Sequence, residues 1–306
     1  MGKFLFSVPK NRQIRMILNT DAGCECDDQF AIAYALLSQK IEMKAIIAAH
    51  FGDLRGPNAM EESYVECCKI VEHMGLSGKV NILKGAKKCI KDAPEQESAG
   101  ADFIIEEALR DDPKPLYGVF IGPLTDLAIA IKKEPRICER MNIIWIGGPC
   151  GPDGAYEYNL SNDIAAANQV MLSNIPLSII DIEGYNQMKI GFAELQDKLL
   201  QCGDIGRYLF EQIVEGNERN CANNSWQSTI TQWPIGESWC IVDVSAIAIA
   251  LEPHDYYFEW KPAPFYTEDC HIFTERITRQ IKVYSKLNYR YAFEDMFAKL
   301  KIIYGQ

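Results

Sequence analysis

Apolar runs of strand length alternate with segments of helical periodicity along most of this chain, and that alternation limits the folds open to it. Residues 14–19, 44–49, 80–83, 116–121, 142–146 and 177–182 read as strands. Residues 27–38, 60–74, 101–109, 124–133 and 163–172 read as the helices between them. Strand–helix–strand repetition predicts parallel strands with helices on both faces. No composition break, repeat or low-complexity linker interrupts the 306 residues. The expectation is therefore α/β: a single domain over 1–306 with an open, mostly parallel central sheet. Further along, 205–215 and 243–250 read as helices, the second strongly apolar. The segment 217–239 between them is long enough to fold over the carboxyl edge of the sheet.

A formal net charge of −11 and a pI near 5.0 exclude a basic, phosphate-gripping surface and with it a nucleic-acid partner. The eleven cysteines include several in apolar runs, and residues 1–12 are short, basic and broken by Pro9. Buried, reduced thiols in a cytoplasmic protein are expected, with no secretory leader and no disulfide framework. No apolar run is long enough to span a bilayer, so no membrane partner is expected either.

The densest chemistry lies just after the first strand. Asp21, Glu25, Asp27 and Asp28 put four carboxylates within eight residues. Such charges at one strand end repel one another and raise each other's pKa unless a cation neutralises them. Carboxylates at a strand–helix turn also suit a hard, oxygen-liganded cation. Cys24 and Cys26 are soft ligands and fit that cation poorly. The other reading is a capped helix, with Asp27 as N-cap and Asp28 in the first turn; spacing leaves both open. The same question attaches to Asp243 before its apolar helix and to Thr125 and Asp126 at the start of another. Glu157 and Asn159, two residues apart, can face the same side of an extended segment.

Five segments in order resemble the inosine–uridine-preferring nucleoside hydrolases. They are LNTDAGCECDDQFAIAYALL (18–37), FIGPLTDLAIAI (120–131), IIWIGGP (143–149), EYNLSNDIAAANQVM (157–171) and VDVSAIAIALEP (242–253). The resemblance implies that family's fold and Ca²⁺-dependent hydrolysis of the N-glycosidic bond of ribonucleosides. It implies Asp21 as calcium ligand and as general base toward a water held there, with Asp28 and Asp243 as further ligands and the Thr125 carbonyl completing the set. Asp27, Glu157 and Asn159 would hold ribose hydroxyls. Homo-oligomers, dimers or tetramers, are expected on the same ground. Cleaving the bond from C1′ to nitrogen builds positive charge on the ribose ring, which nearby carboxylates stabilise.

The chain departs from the family pattern in four places. Five residues, not three, separate Asp21 from Asp27. Asn19 stands where the strand has an earlier acid, which also argues against a haloacid dehalogenase-type phosphatase. Val242 occupies the position where nonspecific members carry a histidine that protonates the leaving base. The segment 151–156 is short and lacks a counterpart of the asparagine that holds the 5′-hydroxyl. His50, near a strand end, is the candidate replacement for the missing histidine; His73, His254 and His271 have no motif context. Trp226, Trp233 and Trp239 are candidates to stack on the base, Trp239 foremost.

Overall fold

The computed structural model describes residues 2–53, 56–148, 156–223, 236–253, 256–273 and 278–305. Trp226, Trp233, His254 and residues 151–155 lie outside the described residues. The strands are β1 (Ile14–Thr20), β2 (Ile41–Ala48), β3 (Ile82–Lys84), β4 (Leu116–Phe120), β5 (Met141–Ile146), β6 (Leu177–Ile180), β7 (Lys189–Gly191), β8 (Ser238–Cys240), β9 (Tyr257–Pro262), β10 (Phe265–Tyr266), β11 (Ile272–Phe273) and β12 (Gln280–Lys286). The helices are α1 (Asp28–Leu37), α2 (Ala59–His73), α3 (Ala99–Leu109), α4 (Thr125–Lys133), α5 (Tyr158–Asn162), α6 (Ile164–Leu172), α7 (Ile182–Tyr185), α8 (Phe192–Leu199), α9 (Gly203–Asn223), α10 (Val244–Leu251) and α11 (Tyr289–Tyr304).

Eight strands form the central sheet in the order β3-β2-β1-β4-β5-β6-β12-β9. Every neighbouring pair is parallel except β12 with β9 at one edge. The expected mostly parallel sheet with helices on both faces is thus what the chain forms. Side chains alternate across β1 as strand geometry requires. Met16 and Leu18 join a core shared with α1, α10 and α11. Ile17 joins the opposite core, with α3, α4 and α6. Nine of the ten residues of α1 are buried, because it lies between the sheet and the helices α10 and α11. A helix so enclosed is apolar nearly all round and shows little amphipathic pattern.

Order in the sheet positions the site. After β1 the chain moves outward to β2 and β3, then returns to β4 on the other side of β1. That reversal opens a crevice at the carboxyl ends of β1 and β4, where open α/β sheets bind ligands.

Candidate active site

A cavity of about 170 Å³ occupies this crevice. Asp21, directly after β1, lines it together with Glu25, Asp27, Asp28, Glu157, Asn159 and Asp243. Asp27 and Asp243 precede α1 and α10, yet neither makes a side-chain capping hydrogen bond. Helix capping therefore does not account for these two carboxylates. Asp27 Oδ2 instead accepts the Val242 amide at 3.1 Å, and the Thr20 hydroxyl donates to Asp28 Oδ1. Ligand oxygens of Asp27, Asp28 and Asp243 lie within 4.8 Å of one another. Asp27, expected to serve only the ribose, thus falls inside the tightest cluster, while Asp21 flanks it.

Electrostatics show what the cluster lacks. The four aspartates are each 3–4% exposed, and none is ion-paired with a Lys, Arg or His among the described residues. Burial, then the charge of Asp28, pushes Asp21 well above the ordinary carboxylate range. Burial raises Asp28 to about 8, with the Asp27 charge next in weight. Asp27 rises less, to about 6, because amides donate to it. Burial and the neighbouring aspartate charges also hold Asp243 high. A set of hard oxygens short of positive charge fits a divalent cation such as Ca²⁺ or Mg²⁺.

The long turn between Asp21 and Asp27 is braced from behind. The Gln29 amide donates to the carbonyls of Ala22 and Glu25 at 3.2 and 3.1 Å and to Glu66 at 3.2 Å. Gly23 packs so closely on α2 that an added Cβ would come within 2.7 Å of the Ser63 nitrogen. On the other side, a Cβ at Gly122 would sit 2.9 Å from Asp21 Oδ1. Gly122→Ala is accordingly expected to displace Asp21 and lower kcat about tenfold or more, since misplacement by about 1 Å costs up to about 10²-fold. Steady-state kinetics, with a thermal scan to show the variant folded, checks this.

Glu157 and Asn159 both line the cavity. The Glu157 carboxylate caps α5, accepting the amides of Gly148 and Leu160 at 2.8 Å each and of Asn159 at 3.2 Å. Both Asn159 amide hydrogens go to main-chain carbonyls, Ile121 at 3.1 Å and Ile146 at 3.0 Å. That leaves its Oδ1 as an acceptor.

Three expected residues lie elsewhere. Thr125 opens α4 with its hydroxyl 2.8 Å from His50 Nε2 and donating to Asp163 at 2.7 Å. It does not line the cavity; Ile121, four residues earlier at the strand end, does. His50 is 1% exposed and fully engaged, its Nδ1 accepting the Gly52 amide at 3.2 Å. Burial lowers its pKa to about 4, so it is neutral and faces Thr125, not the cavity. Trp239 is 1% exposed on β8 and packs in the core beside β7. Asn19, one of the departures, donates to Asp126 at 2.9 Å. Asp126 also takes the Ala86 amide and the Ser98 hydroxyl, tying β1 to the turn after β3 and to the start of α3.

Sequence reading missed Ile121, Tyr156, Tyr158, Ile182, Tyr185 and Asn186 at the cavity wall. Ile182 was assigned to the strand 177–182. The chain instead turns at Asp181, whose side chain caps α7 at the Gly184 amide. An Asp three residues before Gly184 was the available signal.

A family model described as inosine-uridine preferring nucleoside hydrolase matches residues 16–291. An uncharacterized protein of Schizosaccharomyces pombe is 31% identical over 99 residues, 31% of this chain and 32% of that protein. Uridine nucleosidase 1 of Arabidopsis thaliana is 25% identical over 215 residues, 62% of this chain and 61% of that protein. The chain therefore spans less than two thirds of the length of either relative. The solved purine-preferring ribonucleoside hydrolase from Gardnerella vaginalis superposes with a TM-score of 0.77 at 21% identity, over 94% of this chain and 98% of that one. At that identity the likeness is one of fold.

Proposed function

Because this chain belongs to the inosine-uridine preferring nucleoside hydrolase family, we propose that it is a Ca²⁺-dependent hydrolase cleaving the N-glycosidic bond of ribonucleosides to free base and ribose. One observation carries this reading: Asp21, Asp27, Asp28 and Asp243 are buried together at the switch point with no cationic side chain beside them among the described residues. A binding pocket for an uncharged ligand gains nothing from such repulsion; a cation site requires it.

The rest of the wall fits a polyol. Asn159 offers its Oδ1, and the Asp27 carboxylate lines the cavity while accepting the Val242 amide. Acceptors like these suit a ligand rich in hydroxyl donors, and a ribose diol is one. Asp28 and Asp243 would hold the cation, with Asp21 beside them and the carbonyl of Ile121, at the strand end lining the cavity, in the place expected of Thr125. Ca²⁺ held by these residues would supply a contact for the diol and lower the pKa of a nearby water. Asp21 takes the proton from the attacking water, and the carboxylates face the positive charge that develops on the ribose ring. The helix N-termini of α1 and α10 point at the same carboxylates and favour their ionised form.

The test is incubation of the purified protein with inosine and with uridine in phosphate-free buffer containing Ca²⁺. Free base and ribose are expected in equal amounts. Tight binding of intact nucleoside without cleavage would instead make the chain a ribose-binding relative. A homo-oligomer belongs to the same proposal and is checked by light scattering.

A further inference from the structure

The cavity is rich in carboxyl groups that would face the cation and the ribose, and its described lining holds no imidazole or other cationic acid to protonate a departing base. Its described lining holds six carboxyl side chains, Asp21, Glu25, Asp27, Asp28, Glu157 and Asp243, and no Lys, Arg or His. Val242 precedes Asp243, and His50 is turned to Thr125. The other protic groups are committed. Tyr158 donates to the Phe51 carbonyl at 3.0 Å, and Cys24 Sγ donates to the Tyr158 oxygen at 3.1 Å. The Tyr185 hydroxyl bonds Glu157, and that of Tyr156 pairs with Ser161. Burial holds Tyr158 and Tyr185 well above the usual phenol range, which makes each a weaker acid than a solvated tyrosine. Of the segments outside the described residues, 149–155 and 224–235 contain no His, Lys, Arg or Tyr, while Arg55, His254 and Arg276 fall in the others.

A neutral nucleoside needs a proton at this step. When the C1′–N bond breaks, its electron pair passes to the base nitrogen, and the base departs as an anion unless an acid protonates it. Such assistance is worth about 10²–10⁴-fold. An aglycone that already carries positive charge departs as a neutral molecule and needs no acid.

Resting on the reading of this chain as a ribonucleoside hydrolase, we infer that its preferred substrates are cationic N-ribosides, of the ribosylpyridinium or N7-alkylated purine class. Water gives its oxygen to C1′ as the C1′–N electron pair neutralises the heterocycle. The water proton passes to the Asp21 carboxylate and from there to solvent. Charge favours the same class: the described lining carries carboxyl groups and no Lys, Arg or His, so a positive aglycone meets no repelling side chain there. Tyr156, Tyr158 and Tyr185 supply aromatic surface for cation–π contact.

The experiment measures kcat/KM of the Ca²⁺-loaded protein on two pairs, 7-methylguanosine against guanosine and 1-β-D-ribofuranosylpyridinium against uridine. The cationic member of each pair is expected to win by about 100-fold or more. A smaller ratio, with all four cleaved, overturns this inference and leaves the hydrolase reading standing. No cleavage of any of the four overturns both. Val242→His, which restores an acid beside Asp243, is expected to narrow the ratio at least tenfold by raising kcat on the neutral substrates. A folded V242H protein with an unchanged ratio overturns the missing-acid explanation.

Discussion

Asp21→Asn is expected to lower kcat/KM for ribonucleoside cleavage by about 10³-fold, within the range found for removal of a general base. Asparagine keeps the shape of the side chain, so the close approach to Gly122 survives. What disappears is the proton acceptor and one of the mutually repelling charges. Because burial and the Asp28 and Glu25 charges all disfavour ionised Asp21, the cation-free variant is expected to melt slightly above the parent. This opposite movement of activity and stability separates a chemical role from a structural one. A variant that lost both together would point to Asp21 as scaffold.

The second large effect is on stability against pH in the absence of cation. Asp27 and Asp28 stand at about 6 and about 8, above the ordinary aspartate value of 3.8. Between those limits the folded chain binds more protons than the unfolded chain. Their stabilising contribution is therefore complete below about pH 4 and is lost as pH rises through 6 to 8. Cation binding requires the ionised carboxylates, so it tightens over the same range and reverses the loss. At a thousandfold excess over Kd it contributes about 4 kcal/mol. Thermal scans in chelator are expected to show a midpoint falling from pH 5 to pH 8, and added Ca²⁺ to restore it most at pH 8. In Asp28→Asn both the slope and the Ca²⁺ response are expected to shrink. An equal slope in that variant would place its origin elsewhere in the protein.

How much of this was legible from sequence depended on the range of the interactions. Alternation of apolar runs revealed the parallel sheet, because a strand buried on both faces is mostly apolar; in Ile14–Thr20 the polar exceptions Arg15 and Asn19 are each paired, with Glu107 and Asp126. The acidic turn was legible as a concentration of charge, but not its partner across the sheet. Asp243 follows Asp28 by more than two hundred residues and reaches it only because α1 and α10 pack side by side. His50 and Trp239 lie near a strand end and the presumed cover, yet their side chains point into other polar groups and into packing, and Thr125 stands behind Ile121 at the cavity edge. Side-chain direction at the end of a strand depends on where the chain turns, and no local pattern around His50 or Thr125 marks that point. The antiparallel edge formed by β9 and β12 was equally hidden, because Tyr257–Pro262 carries little buried apolar surface.

The most direct measurement follows reducing sugar released from a ribonucleoside by the purified protein, first with Ca²⁺, then in excess chelator, then with Ca²⁺ restored. Release that stops with chelation, returns on re-addition and is absent in Asp28→Asn is the predicted result. Cleavage that continues undiminished in chelator, or none of any N-riboside despite one cation bound per chain, would contradict the assignment of the acidic crevice as a cation-dependent hydrolytic site.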